Sequence, residues 1–164
     1  MSIEIQGPTV ILREYEDLDW ERVHIYASDK VFTQFEAWGP NTIEDSKNFI
    51  SDMQKKQSHE PRFEFEFAII DRKTNLLVGG CGFRKDKIGA DIGSLGYAVN
   101  PDFQGRGIAT ECTKLLLTLA FEELDVSVVY ATCDSSNIAS YSVMEKCGMK
   151  RTKVFKNKRK FKNK

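Results

Sequence analysis

The sequence predicts a single α/β domain of the α+β type, in which helices cover both faces of a mixed, mostly antiparallel sheet. Three observations predict this fold class. The 164 residues are 41% hydrophobic and 29% charged, which is typical of one globular domain. Three strand-like segments joined by short turns lie between Phe63 and Val99. A helical segment and a further strand follow them, and this order favours a parallel strand added to an antiparallel meander.

The N-terminal part of the chain predicts one strand and two helices. Thr9–Tyr15 is expected to form a strand, and acids in the first turn of Leu18–Ser28 favour a helix. Residues 32–40 are aromatic and irregular. A second helix is expected from Thr42 to about Lys56, because either Asn41 or Thr42 can cap its first turn.

The middle of the chain predicts the meander. Large apolar residues stand at every second position of Phe63–Ile70, with Glu64 and Glu66 between the first of them, and this period of two predicts a half-buried strand. Leu76–Phe83 and Ile92–Val99 are the next two predicted strands, because turn-like sequences separate them. Short turns between consecutive strands favour antiparallel pairing.

Four further elements are expected after the meander. Apolar residues spaced three and four apart predict an amphipathic helix over about residues 108–124. The β-branched segment Val126–Cys133 predicts a buried strand. Ser136–Lys146 predicts a helix that a glycine ends, and Met149–Phe155 is expected to add a last strand.

Basic residues are concentrated at the C-terminus. The formal net charge is zero, but residues 150–164 carry nine of the 24 basic side chains and no acid. Residues 1–149 therefore hold 15 basic and 24 acidic side chains, and this acidic body favours cationic binding partners. We expect a domain over residues 1–155 and a Lys-rich extension or short edge hairpin over residues 156–164. A contact with the ribosome or RNA through Lys156–Lys164 is the functional interpretation, and a solvated edge is the alternative.

Cysteine spacing and hydropathy favour a cytoplasmic protein without a metal. Gaps of 31, 21 and 14 residues separate the four cysteines, so neither a zinc site nor a disulfide framework is favoured and reduced thiols are expected. No apolar run approaches the roughly 20 residues that a membrane helix needs. The first nine residues do not resemble a signal peptide.

The segment Asn100–Glu111 carries the strongest chemical signal. It joins a strand to a helix through Gly105 and Gly107. The first N–H groups of a helix lack intrahelical partners and lie at the positive end of its dipole, so this loop is a candidate anion site. It lacks the lysine of a P-loop and the third glycine of a dinucleotide fingerprint. On spacing alone, an ordinary glycine-rich turn that begins a helix is the alternative.

Several segments, in order, resemble the GCN5-related N-acetyltransferase (GNAT) family. Residues Gln104–Ala109 read Gln-Gly-Arg-Gly-Ile-Ala and are similar to the family's Arg/Gln-x-x-Gly-x-Gly/Ala motif. Gly96–Pro101, Asn137–Ser140 and Glu145–Met149 resemble segments of the branch that acetylates the N-termini of ribosomal proteins. The opening Ile11–Arg13 also fits. The resemblance extends from residue 9 to about residue 155.

This resemblance implies transfer of an acetyl group from acetyl-CoA directly to a primary amine. It places acetyl-CoA between two splayed strands, the fourth and fifth of the family, here Ile92–Val99 and Val126–Cys133. The residues that it implies for donor binding lie in the first of these strands, the glycine loop and the last helix: Ala98, Val99, Gln104, Gly105, Arg106, Gly107, Ile108, Ala109, Thr110, Asn137 and Lys146. For Arg106 and Lys146, a solvated surface charge is an equal alternative.

The resemblance implies Ser140 as the proton donor to the leaving thiolate, because Met144 stands where many members carry a tyrosine. Capping of a helix is the alternative role of Ser140. Ser94 stands where the branch often carries a glutamate, so the base stays open. An ordered water is one alternative, and four acids, each more typical of a solvated surface, are the others: Glu36, Glu64, Glu66 and Asp134.

The aromatic segment near residue 35 maps to the acceptor side of the family fold. Phe35, Glu36 and Trp38 are expected to line the acceptor pocket, with core packing as the alternative. A protein N-terminal amine is the first expected acceptor, and a polyamine or an aminoglycoside is the second. Two alternatives of other classes are a CoA-binding protein with little turnover and an RNA or ribosome binder. A homodimer is expected if a partner completes the sheet edge.

Overall fold

The computed structural model describes residues 2–133 and 136–152 of the chain. Six strands lie in these ranges: β1 (Glu4–Gln6), β2 (Val10–Arg13), β3 (Glu64–Asp71), β4 (Leu77–Lys85), β5 (Ile92–Val99) and β6 (Val128–Tyr130). Four α-helices accompany them: α1 (Trp20–Ala27), α2 (Ile43–Gln57), α3 (Ile108–Thr118) and α4 (Ile138–Lys146). A wider helical turn continues α3 through Leu119–Glu123, so the predicted helix has the expected extent.

The strands form one sheet in chain order, from β1 to β6. The four pairs from β1 to β5 are antiparallel, and β5 and β6 are parallel because α3 carries the chain back across the sheet. This topology confirms the predicted mixed, mostly antiparallel sheet.

Helices cover both faces of the sheet, as the sequence predicts. Along β3, Phe67 and Ile69 pack in the core that contains Leu116 of α3. Ala68 and Ile70 point to the other face and pack in the core formed with α1 and α2. The prediction that this strand is half-buried was wrong, since a central strand covered on both faces is buried along its whole middle.

The start of α2 follows the sequence closely. The Thr42 hydroxyl oxygen accepts a hydrogen bond from the backbone N–H of Asp45 at 3.1 Å. The Asp45 carboxylate accepts one from the Thr42 N–H at 2.9 Å. Of the two predicted caps, Thr42 is therefore the one that the helix uses, through a reciprocal capping box.

Three boundaries differ from the predictions. The short strand β1 was not predicted, although Ile3 and Ile5 alternate and pack against the α3 side of the sheet. The buried strand expected over Val126–Cys133 is limited to β6, and it is not buried, since Val128 and Tyr130 are exposed. Residues 149–152 are not a strand. The remainder of that predicted strand, and the Lys-rich segment 156–164, lie outside the described residues.

The cysteines lie in different environments. Cys81 and Cys112 are buried, and the four cysteines, all within the described residues, form no disulfide. In the described part of the chain, every helix is too short or too polar to cross a bilayer.

Candidate active site

A cleft opens where β5 and β6 separate. The last paired residues of the two strands are Ser94 and Tyr130, whereas β5 continues to Val99. A cavity of about 770 Å³ occupies this region and extends across the sheet to α1 and α2. The predicted splay between these strands is confirmed, and it exposes the backbone of the second half of β5.

Small residues form the floor of this cleft. Gly80 is opposite Ala98, and Gly82 is opposite Gly96, in the register of β4 and β5. A Cβ atom on Gly96 would meet nothing within 4 Å, so the space above it is empty. At Gly80, a Cβ would lie 2.2 Å from the Tyr15 hydroxyl oxygen, so glycine is what allows this phenol to lie on the floor.

The glycine loop begins α3 in the geometry of an anion site. Gly105 and Gly107 have φ values of +77° and +78°, a region that other residues adopt only with strain. The N–H of Glu111 donates to the carbonyl oxygen of Gly107 at 3.0 Å and closes the first helical turn. The preceding N–H groups therefore have no intrahelical acceptor. Both glycines border open space. These observations fit a phosphate group of a nucleotide-like ligand.

The loop is held at the end of β5. The Gln104 amide donates to the Val99 carbonyl oxygen at 3.0 Å. The Asn100 side chain accepts a hydrogen bond from the Asp102 N–H at 2.9 Å. The Arg106 guanidinium lies 4.9 Å from the centre of the Phe103 ring and stays exposed. Gln104 thus positions the loop, and Arg106 lies on its surface.

Glu111 is a site-supporting residue that the sequence did not single out. Its carboxylate accepts hydrogen bonds from the backbone N–H groups of Thr9 and Val10, each at 3.0 Å. It also accepts one from the Thr9 hydroxyl at 2.5 Å. Because these partners lie at the start of β2, Glu111 fixes the first turn of α3 to the sheet. Its sequence signal, an acid in the first turn of a helix, is common to many helices.

The first turn of α4 forms the opposite wall. Asn137 caps this helix by accepting a hydrogen bond from the Ser140 N–H at 3.2 Å. The Tyr97 hydroxyl lies 2.9 Å from the Ser140 hydroxyl and donates to the Ser140 carbonyl oxygen at 2.8 Å. All three residues line the cleft, as does Met144. In the sequence Tyr97 is only one residue of the matching segment Gly96–Pro101, because its contact with Ser140 depends on the tertiary structure.

The end of α4 lies beside the glycine loop. The Cys147 thiol is 3.6 Å from the carbonyl oxygen of Thr110. Lys146, the preceding residue, is exposed in the last turn of the helix. The end of α4 that carries Lys146 therefore lies close to the first turn of α3.

The three residues predicted to line the acceptor pocket lie in the segment between α1 and α2. Phe35, Glu36 and Trp38 all line the cleft, together with residues of β4 and β5. Trp38 is 38% exposed, so this segment is not simply core packing.

Carboxylates dominate the described lining of the acceptor side. Four acids line the cleft together with one arginine, Arg84: Glu36, Asp45, Asp52 and Glu66. Glu66 was expected to be a solvated surface acid, and this was wrong, since its side chain is only 10% exposed. Glu64 instead pairs with Lys56 at 3.4 Å, away from the lining residues. The fourth candidate, Asp134, lies outside the described residues.

Known proteins resemble this chain in sequence and in fold. A family model described as an acetyltransferase (GNAT) domain matches residues 9–150. An uncharacterised N-acetyltransferase of Bacillus subtilis, YnaD, is 33% identical over 94% of this chain and 86% of its own. A crystal structure of a GNAT-family acetyltransferase from Bacillus anthracis is 32% identical with a TM-score of 0.82, over 93% of this chain and 87% of that one.

A more distant structure shares the fold. A structure of a putative ribosomal-protein-serine acetyltransferase from Vibrio cholerae is 21% identical with a TM-score of 0.83, over 97% of this chain and 90% of that one. The family predicted from the sequence motifs is confirmed by the family match and by the curated relative. The chain therefore belongs to the GNAT acetyltransferases, the acyltransferase family whose members use acetyl-CoA as the acetyl donor.

Proposed function

We propose that this enzyme acetylates a cationic primary amine, with the N-terminal amine of a protein as the first candidate acceptor. One observation carries the proposal: four carboxylates and one arginine line the described acceptor side of the cleft. Such a wall attracts a positively charged group and repels an anionic one. The putative ribosomal-protein acetyltransferase of Vibrio cholerae, which shares the fold, supports the N-terminal amine as first candidate.

The donor side of the cleft is assigned to acetyl-CoA, which supplies an acetyl thioester. Backbone N–H groups between Gly105 and Thr110, including those of Ile108 and Ala109, would bind the pyrophosphate. Main-chain groups of Ala98 and Val99, in the part of β5 that extends past its pairing with β6, would bind the pantetheine arm together with Asn137. Arg106 and Lys146 are exposed cations beside the loop and would contact phosphate oxygens.

The reaction also requires proton transfers. An amine with a pKa of about 8–10 is mostly protonated at neutral pH, so it loses one proton before it attacks the thioester carbon. A C–N bond then forms and the C–S bond breaks, and the nitrogen loses a second proton. One proton ends on the sulfur and the other is released to solvent. The Ser140 hydroxyl, which Tyr97 holds at the cleft, is the proposed donor to the sulfur.

A second acceptor class is favoured by the spacing of the acids. Asp45 and Asp52 lie seven residues apart on α2, which is about 10 Å along a helix. Both line the cleft. Separated carboxylates suit an acceptor with several amines, such as a polyamine or an aminoglycoside.

The test is acetyl transfer by the purified chain to a panel of amines. The panel contains peptides with free serine or alanine N-termini, the same peptides with blocked N-termini, spermidine and an aminoglycoside. Thiol release and the product mass are measured. We expect transfer to at least one cationic amine and none to the blocked peptides. Binding of acetyl-CoA without transfer to any amine would instead identify a CoA-binding protein with little turnover.

A further inference from the structure

We propose that Glu66 is the residue that receives the acceptor's ammonium group, through its Oε2 atom, and that Arg84 is the residue that positions it. This inference rests on the proposed function, because it assigns the acceptor-binding group within the same cleft. In the sequence Glu66 was one of four acids considered for the base, which Ser94 left open; its role here is to bind the acceptor.

Arg84 engages only one oxygen of Glu66. Its Nε and Nη2 atoms donate to the same atom, Oε1, at 3.2 and 2.7 Å. Within the described part of the chain, Oε2 accepts no hydrogen bond. The pair of Arg13 and Asp19 differs, since Arg13 donates to both carboxylate oxygens at 2.8 and 3.0 Å. Both oxygens of Asp19 are therefore bonded to Arg13. In Glu66, by contrast, Oε2 remains available as a charged acceptor, although the side chain is about nine-tenths buried.

The free oxygen lies over the glycine floor. A Cβ atom on Gly82 would be 2.0 Å from Oε2, so this oxygen occupies the space that a side chain there would fill. Gly82 is the register partner of Gly96, whose own Cβ position is empty to 4 Å. Oε2 therefore lies next to vacant space above β5, one strand spacing of about 5 Å away. The next residue along β5 is Tyr97, which holds the proposed proton donor Ser140.

This arrangement suits an ammonium group. Hydrogen bonds from a charged N–H to a carboxylate oxygen are short and about twice as strong as neutral ones. Partial burial strengthens the attraction, because fewer waters screen the charges. Arg84 is 43% exposed, and both of its hydrogen bonds go to Oε1. Arg84 therefore leaves Oε2 available to a ligand in the cleft. An ammonium at Oε2 thus meets a charged acceptor that the fold has already oriented.

The first variant is Glu66→Gln, which keeps the shape of the side chain and removes its charge. We expect kcat/KM for a cationic amine to fall about 10- to 100-fold, mostly through KM, and acetyl-CoA affinity to change less than twofold. An acceptor that is neutral at the assay pH, such as a hydrazide, should lose far less. The matched control is Glu64→Gln, two residues away on the same strand, which should leave kcat/KM unchanged.

The outcomes separate the inference from the function that it rests on. Wild-type turnover combined with an unchanged kcat/KM in Glu66→Gln overturns the inference and leaves the proposed function standing. Equal losses for cationic and neutral acceptors overturn it also, since they indicate a structural role. Wild-type protein that binds acetyl-CoA but acetylates no amine overturns both.

A second variant covers a failure of Glu66→Gln to fold. Glu66→Asp keeps the charge and withdraws it by one methylene group. We expect a higher KM for the amine with unchanged acetyl-CoA affinity, and an unchanged KM contradicts the proposal. Arg84→Gln should raise the same KM by a smaller factor, because it frees the carboxylate without discharging it.

Discussion

The hydroxyl groups of Tyr97 and Ser140 lie 2.9 Å apart and connect β5 to α4 across the gap between β5 and β6. The Tyr97 hydroxyl also lies 2.8 Å from the Ser140 carbonyl oxygen, so one phenol fixes the first turn of α4 at two atoms. Burial raises the pKa of Tyr97 to about 12, and the phenol is therefore protonated at neutral pH. The serine hydroxyl is thereby held in the lining of the cleft.

Replacing Ser140 by alanine should reduce kcat without weakening acetyl-CoA binding. A positioned proton donor contributes about 100- to 10,000-fold, and water replaces part of that, so we expect a loss of about 10- to 100-fold. Ser142→Ala, on the same helix but outside the cleft lining, is the control and should retain full activity. Steady-state kinetics with calorimetric titration of acetyl-CoA checks this. Equal kcat in wild type and Ser140→Ala would remove Ser140 from the mechanism.

The raised pKa of Tyr97 predicts a loss of stability at alkaline pH. The folded chain holds this proton more tightly than the unfolded chain, whose tyrosine titrates near 10. The contribution is therefore complete below pH 10 and is lost as the pH rises toward about 12. Burial raises the pKa of Tyr15 in the same direction. Urea unfolding between pH 8 and about 12 should show the decline, with a shallower slope in Tyr97→Phe. Identical slopes would contradict the assignment.

Gly96→Ala should separate activity from stability. Its Cβ would meet nothing within 4 Å of the protein, so the fold accommodates it and a gain of about 0.4–1 kcal/mol is expected from the unfolded state. The same methyl group projects into the cleft floor, so kcat/KM should fall at least tenfold. Gly82→Ala is the contrasting variant, because its Cβ would lie 2.0 Å from Glu66 Oε2 and 2.9 Å from the Phe65 carbonyl oxygen. Thermal melts and kinetics of both variants test this, and full activity of Gly96→Ala would place the acceptor elsewhere.

Glu111→Ala should destabilise the fold and weaken acetyl-CoA binding together. The change leaves the N–H groups of Thr9 and Val10 without their acceptor; Val10 is buried, so its unsatisfied N–H costs about 1–3 kcal/mol, whereas water can reach Thr9. It also releases the first turn of α3 from β2. Glu122→Ala, exposed in the turn that continues α3, should change neither property. Urea unfolding and calorimetry measure the two effects. A destabilised variant with wild-type acetyl-CoA affinity would show that the loop holds its shape alone.

The predictable part of the fold is the part encoded by local patterns. Alternation along Phe63–Ile70 located β3, and the two possible caps, Asn41 and Thr42, marked the start of α2. What the pattern did not show is how many faces of a strand are covered, because that depends on helices distant in sequence. The same reason explains why the burial of Glu66 was not predicted. Its neighbours in sequence are those of an exposed strand acid, and only the approach of Arg84 and the cleft walls buries it.

In the candidate site, too, local sequence patterns predicted some residues, whereas others depend on tertiary contacts. The glycine loop was found from the sequence, since Gly105 and Gly107 are needed at positive φ within a few residues. Ser140 required a family resemblance, because a serine in a first helical turn has many roles. Its contact with Tyr97 joins residues 43 positions apart, and no local pattern signals such a pair.

The central claim is that the loop beginning α3 binds acetyl-CoA, and calorimetric titration of Gly107→Glu tests it most directly. Gly89→Glu is the matched control: both glycines have φ near +80° and border open space, but Gly89 lies in the turn between β4 and β5. Any backbone strain is therefore shared, and only Gly107→Glu places a carboxylate at the loop. We expect low-micromolar binding by the wild type and by Gly89→Glu, and a loss of at least 100-fold in Gly107→Glu. Equal affinities in all three proteins would contradict the account.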